Sequence, residues 1–137
     1  LPRLLADLKA QTYPNFEVIV ADDASTDGTA EVAGHFPANF RLNVLRLHDE
    51  PGNSPKKRAL GAAIRQATGH LIVTTDGDCR VGPEWLGTFA RAYEETGAHL
   101  LSGPVTFFSE KNSAFENLQI VEFASLIGTG AVTMALE

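Results

Sequence analysis

Apolar residues recur at Leu1, Leu4, Leu5 and Leu8, three and four positions apart, so the chain opens in an amphipathic helix. The period then changes. Residues 16–21, FEVIVA, are a short apolar, β-branched run behind the turn YPN, which predicts a buried strand. Residues 22–36 predict a loop and then a helix, capped by Ser25 or Thr26 and finished near Gly34. Residues 42–47, LNVLRL, alternate enough for a second strand. DEPGNSP (49–55) reads as a loop, and Pro55 suits a first helical position behind Asn53 or Ser54. That helix carries Ala59, Leu60, Ala63, Ile64 and Ala67 on one face and stops at Gly69. HLIVTT (70–75) predicts a third strand. Residues 82–97 predict a helix with Pro83 near its start, Trp85, Leu86, Phe89 and Tyr93 turned inward, and Gly97 behind it. Residues 99–108 predict another strand, with Pro104 marking an edge or an irregularity. A last helix is expected from Asn112 onward.

Strands that alternate with helices predict an α/β layer with a largely parallel sheet. Ligands of such sheets lie outside the carboxyl ends of the strands. Two acidic clusters fall at predicted strand carboxyl ends: Asp22 with Asp23, and Asp76 with Asp78. The chain opens with a helix where a βα pattern would place a strand. It is therefore expected to be a single partial domain over residues 1–137, lacking its first strand.

Composition narrows the chemistry. The 137 residues are 44% hydrophobic and 20% charged, with a formal net charge of -6. No dense basic run is present, which argues against nucleic acid as a partner, because phosphate contacts need clustered Lys and Arg. The one cysteine, Cys79, excludes an internal disulfide and a cysteine-based zinc site. The four histidines show no metal-ligand spacing. No signal peptide is visible. The longest uncharged stretch, residues 123–136, is too short and too rich in Gly, Ser and Thr to span a bilayer, which takes ~20 apolar residues. It reads as a buried helix end, or as a helix resting on a membrane surface or meeting a neighbouring segment.

The acids carry the candidate chemistry. Residues two apart in an extended segment share a face, which places the Cβ atoms of Asp76 and Asp78 roughly 6–7 Å apart, unless a bend at Gly77 changes that spacing and brings the backbone close to a ligand. Two carboxylates there offer hard oxygen ligands suited to Mg2+ or Mn2+ rather than zinc. As a plain turn, Asp-Gly-Asp would need no ligand. Asp22 and Asp23 can brace the following loop, with Ser25 and Asp27 as local backbone acceptors. Alternatively, one of them can accept an N–H from a ligand such as a base edge. Lys56, Lys57 and Arg58 form the one tight basic cluster. They sit at a helix start, where cations oppose the macrodipole unless an anion is near. They are either a solvated face or a pyrophosphate contact. Cys79 reads as a small buried residue.

Taken together, these stretches resemble glycosyltransferase family 2. AQTYPNFEVIVADDASTDGT is similar to that family's opening Q-x-Y-P, strand and DDGSTDGT run, with Ala24 where glycine is usual. KKRALGAAIRQATGHLIVTTDGDCRVGPEWL resembles its second block: a lysine before an Ala-Leu helix, A-T-G, a strand, D-x-D and P-x-W-L. SGPVTFF and the later LQIVEF are similar to members that work at the cytoplasmic membrane face. The resemblance implies a GT-A fold, a three-layer α/β/α sandwich, and an inverting transfer from a nucleotide-sugar donor, most often a UDP-sugar. It implies Asp22 for the base, Lys56 for the diphosphate, Asp76 for the ribose and metal surroundings, and Asp78 for Mn2+ or Mg2+. The acceptor would be a saccharide or lipid-linked hydroxyl, and the full-length protein would work at the cytoplasmic face of the membrane. No acid upstream of Glu137 matches the family's general base. The chain alone is thus expected to bind donor rather than turn it over.

Three other readings share some of these residues. A receiver domain also places paired acids after its first strand and an acceptor aspartate after a later one, but no Lys-Pro follows a late strand here. An aspartyl phosphatase would put Gly-Thr after its D-x-D, where this chain has Cys79 and Arg80. A degenerate, non-catalytic scaffold domain would keep the fold without the metal-dependent nucleotide binding.

Overall fold

The computed structural model describes residues 1–48, 54–107 and 113–135. Five helices and two strands follow in the order α1 (Pro2–Lys9), β1 (Glu17–Asp23), α2 (Thr29–Gly34), β2 (Arg41–Leu47), α3 (Pro55–Gln66), α4 (Trp85–Thr96) and α5 (Ala114–Ala135). They fall into two compact units, residues 1–99 and residues 100–137.

In the first unit β1 and β2 pair in parallel, with Val18 opposite Leu42 and Asp22 opposite Arg46. Because side chains alternate across a strand, Val18 and Val20 share one face, and Val44 and Leu42 continue it on β2. That face packs on the buried cluster of Leu4, Leu5, Leu8 and Ala33 from α1 and α2. Leu5 is fully buried, so the opening leucine stripe is the centre of the core. Helix α3 packs against β1. The α/β class and the parallel pairing agree with the sequence reading.

Two predicted strands do not form. Residues 70–75 carry no ladder, and neither do the described residues 99–107; Phe108 lies outside the described residues. Over 71–74 burial still alternates, with Leu71 and Val73 half-buried and Ile72 and Thr74 exposed. The segment is extended in pattern but unpaired. Parallel strands are stabilised by burial on both faces. Among the described residues nothing covers this one on both sides, and Ile72 stays 42% exposed. The same gap explains the helix faces. Ala59, Ala63 and Ala67 are half-buried, but Leu60 and Ile64 are exposed, as is Tyr93 on α4.

Some helix ends differ from expectation. Ser25 and Thr26 do not cap α2. Its N-cap is Gly28, in the left-handed region at φ 77, and the Asp27 carboxylate accepts the Thr29 N–H at 3.0 Å. At α3 Pro55 does occupy the first turn behind Ser54, which makes no side-chain cap bond; Asn53 lies outside the described residues. Gly97 closes α4 at φ 62, the left-handed conformation expected behind a helix. Asn112 lies outside the described residues, and α5 opens with a reciprocal box. The Ser113 hydroxyl accepts the Glu116 N–H at 3.2 Å, and the Glu116 carboxylate accepts the Ser113 N–H at 3.4 Å. Among the described residues no helix is long and apolar enough to cross a membrane.

Polar side chains take over where backbone ladders are missing. Gln11 donates to the Gly82 carbonyl at 2.7 Å and accepts the Leu86 N–H at 3.0 Å, so it caps α4 from a distant part of the chain. Glu17 accepts both the N–H and the hydroxyl of Thr68, at 2.7 and 2.6 Å. Asp7 holds Arg80 in a two-pronged ion pair, at 2.6 and 2.9 Å.

Leu5→Ala should cost about 2–5 kcal/mol, the usual range for a buried leucine, read from urea denaturation midpoints. The carboxylate clasps make stability pH-dependent. The Arg80 hydrogen bond holds the Asp7 carboxyl below its ordinary range, and the Thr68 hydroxyl does the same for Glu17. A carboxylate depressed in the folded state adds stability above its unfolded value and loses it as pH falls through the folded one. Thermal melts should therefore fall as pH drops below ~4, with a shallower fall in Glu17→Gln.

Candidate functional site

The two acidic clusters meet at the first turn of α3. At the end of β1 alternation sends Asp22 and Asp23 to opposite faces. Asp23 pairs with Arg58 of α3, and both side chains are almost enclosed, at 13% and 12% exposure. Asp22 lies on the face that carries Val18 and Val20. It is 6% exposed, and its Oδ1 is buried with no hydrogen-bond partner among the described residues. A buried acceptor without a donor costs free energy, so this oxygen is suited to an incoming N–H.

Lys56, two residues before Arg58, reaches Asp76 at 2.8 Å. This answers the question of cations at a helix start, because Asp23 and Asp76 supply the anions that offset the macrodipole. The Asp76 hydrogen bond, with further attraction from Asp76 and Asp78, holds the Lys56 ammonium above its ordinary value. Both partners of this pair are exposed, at 80% and 64%, so the contact itself adds little to stability.

Asp76, Gly77, Asp78 and Cys79 form a turn closed by the Cys79 N–H on the Asp76 carbonyl at 3.2 Å. Gly77 and Asp78 are exposed. A cavity of about 380 Å³ lies between this turn, at residues 77–79, and residues 1–4 of the opening helix. Cys79 is a half-buried free thiol.

The expected site residues thus fall into a linked set: Asp23 to Arg58, and Lys56 to Asp76. Asp22 sits beside the first pair and Asp78 beside the second. Asp76 and Asp78 are the residues that could hold a divalent ion, since their oxygens are the hard donors such ions prefer. Among the described residues no group of three or more His, Cys, Asp or Glu gathers. Two carboxylates fit an ion that completes its shell with substrate oxygens and water, as Mg2+ commonly does. Asp7 was absent from the sequence reading, Arg80 entered it only as a departure from the phosphatase pattern, and Arg58 only as part of the basic cluster. A complementary charge pattern exists in each case, but the partners lie 73 and 35 residues apart, and nothing local ties them.

Comparison with known proteins decides the class. The sequence model described as glycosyl transferase family 2 matches residues 1–131. The chain belongs to this family. Its glycosyltransferase relatives include AglE of Haloferax volcanii, 31% identical over 134 residues, covering 91% of this chain and 43% of that protein. TarS of Staphylococcus aureus, a poly(ribitol-phosphate) beta-N-acetylglucosaminyltransferase, is 31% identical over 103 residues, covering 74% of this chain and 18% of its own. The poly-beta-1,6-N-acetyl-D-glucosamine synthase of Staphylococcus epidermidis is 28% identical over 127 residues, covering 90% of this chain and 29% of its own. The chain spans less than half the length of each of these relatives. No solved structure matches it significantly. Family membership carries the GT-A fold class with it and sets aside the receiver and phosphatase readings.

Ala24 stands where the family motif has glycine in the sequence reading, and it adopts φ 58, left-handed backbone. That conformation costs a non-glycine residue roughly 1–2 kcal/mol. Ala24→Gly relieves the strain but frees the unfolded chain by ~0.4–1 kcal/mol. The net expectation is a gain of about 0.5–1 kcal/mol, read as a raised urea midpoint.

Proposed function

We propose that this chain is the donor-binding part of a glycosyltransferase that takes a nucleotide-diphosphate sugar, with a UDP-sugar first in line. The observation that carries the reading is the buried Oδ1 of Asp22 at the carboxyl end of β1, which has no hydrogen-bond partner among the described residues and is close in sequence to a pair that leads to Lys56 and Asp76. A pyrimidine N–H would satisfy that oxygen. Lys56 would meet the diphosphate from the first turn of α3, where backbone N–H groups also favour an anion. Asp76 would lie by the ribose and the ion, and Asp78 would hold Mn2+ or Mg2+.

In the transfer, an acceptor hydroxyl oxygen forms a bond to C1 of the sugar while the bond from C1 to the phosphate oxygen breaks. The nucleoside diphosphate leaves with the electron pair, and the hydroxyl proton passes to a carboxylate base. A single displacement of this kind inverts the anomeric centre. The divalent ion supplies charge neutralisation at the leaving diphosphate. The Lys56 ammonium, kept protonated by its carboxylate neighbours, contributes to the same charge stabilisation. The acceptor class proposed is a saccharide or lipid-linked hydroxyl, in keeping with relatives whose names specify polymer glycosylation.

Calorimetric titration of UDP into the chain tests the reading. With Mn2+ present, Asp78→Ala should weaken binding at least about ten-fold, or ~1.4 kcal/mol, and should matter little in EDTA. Equal affinity of wild type and variant in Mn2+ would remove the metal role assigned to Asp78.

A further inference from the structure

We propose that Asp7 is a positioning residue for the acids Asp76 and Asp78, acting through Arg80. The proposal deepens the donor-site reading and rests on it. Asp7 lies on α1 between Leu4 and Leu8, whose side chains are buried in the core. Its carboxylate accepts three bonds from one loop: Arg80 Nε at 2.6 Å, Arg80 Nη2 at 2.9 Å and the Val81 N–H at 3.2 Å. The Arg80 fork makes the contact directional as well as attractive. Asp7 itself is 14% exposed and Arg80 is 50% exposed, so the fixed partner is the one on the core helix.

Its target is the turn that carries the acids. Arg80 is two residues beyond Asp78, so their Cα atoms are at most about 7 Å apart. It directly follows Cys79, whose N–H closes that turn. No ladder holds residues 70–80. The turn therefore takes its position from side chains: Lys56 on Asp76, in an exposed pair, and Asp7 on Arg80 and Val81. A diphosphate would compete for Lys56, whereas the Asp7 clasp involves no group assigned to the donor. It is the tether that persists when the site fills. Outer partners of this kind typically change metal affinity 10–100-fold when lost.

The test is calorimetric titration of UDP into the whole chain, in Mn2+ and in EDTA, with a thermal melt of each protein. Asp7→Asn should weaken binding in Mn2+ about ten-fold and leave the EDTA arm within about two-fold. Arg80→Ala, a truncation on an exposed loop, should give the same loss and covers the case in which Asp7→Asn does not fold. Arg80→Lys, which keeps the charge but not the fork, should recover part of it. Equal losses in both arms would mean a purely structural clasp and would overturn the proposal. So would wild-type affinity in the Arg80→Ala variant. If the wild-type chain itself shows no Mn2+-dependent UDP binding, the donor-site reading fails and takes this inference with it. Binding by wild type with no effect of either variant sinks the positioning role alone.

Discussion

The ion pair between Asp23 and Arg58 sets the geometry on which the rest of the site depends. It joins the carboxyl end of β1 to the first turn of α3, and its two side chains are nearly enclosed. A pair in that environment is costly to form, and losing Arg58 would be costlier still, because the enclosed Asp23 carboxylate would be stranded without its cation. What it supplies is placement. Strand alternation gives Asp23 to α3 and leaves Asp22 on the other face, so the pair occupies one acid, while the Oδ1 of the other has no hydrogen-bond partner among the described residues. It also fixes the start of α3 and with it Lys56, two residues earlier, which then reaches Asp76. One buried contact thereby registers two acidic clusters against a single helical turn.

The second constraint is the shortage of backbone pairing around the Asp76 turn. With only β1 and β2 laddered among the described residues, the loop from 70 to 83 is held by side chains. Gln11 ties it at Gly82, the Thr12 hydroxyl donates to the Pro83 carbonyl beside the Thr12 backbone N–H, Asp7 holds Arg80, and Glu17 holds Thr68 just upstream. Several residues that carry the family resemblance therefore serve the scaffold. The glutamine of Q-x-Y-P caps α4, and the threonine of A-T-G anchors the end of α3 to β1. On the proposed reading, the chemistry is left to Asp22, Lys56, Asp76 and Asp78.

This division explains what could be read from the sequence. Helix and strand periods are local, so α1, β1, β2, α3 and α4 were legible within a few residues of their bounds. Asp22 and Asp23 at the end of β1 followed from the same pattern, whereas Asp76 and Asp78 stand in a turn that closes no strand. The strand at 70–75 was not realised, because pairing is a non-local outcome that an apolar run alone does not guarantee. Asp7 with Arg80 and Glu17 with Thr68 were illegible for a similar reason: they join residues 73 and 51 apart. The α2 cap was misplaced because Ser25 and Thr26 are both competent caps, while the backbone turned instead at Gly28. The box at Ser113 and Glu116 follows the local pattern S-x-x-E.

The two pairs at the start of α3 also differ in how readily they can be exchanged. Asp23 and Arg58 are enclosed, and a ligand that displaced Arg58 would leave the buried Asp23 charge behind. Lys56 and Asp76 are open to water, and separating them costs little. On the proposed reading, a diphosphate arriving with a divalent cation gives each a new partner: the phosphate takes Lys56 and the cation takes Asp76. One exposed pair becomes two contacts across the ligand, with no charge stranded. For a chain of net charge -6, such an exchange admits a polyanion without repulsion from an uncovered carboxylate. Until then Lys56 keeps Asp76 neutralised and turned toward α3. The buried pair holds the frame still, while the exposed pair opens to a ligand that brings a counter-charge for each partner.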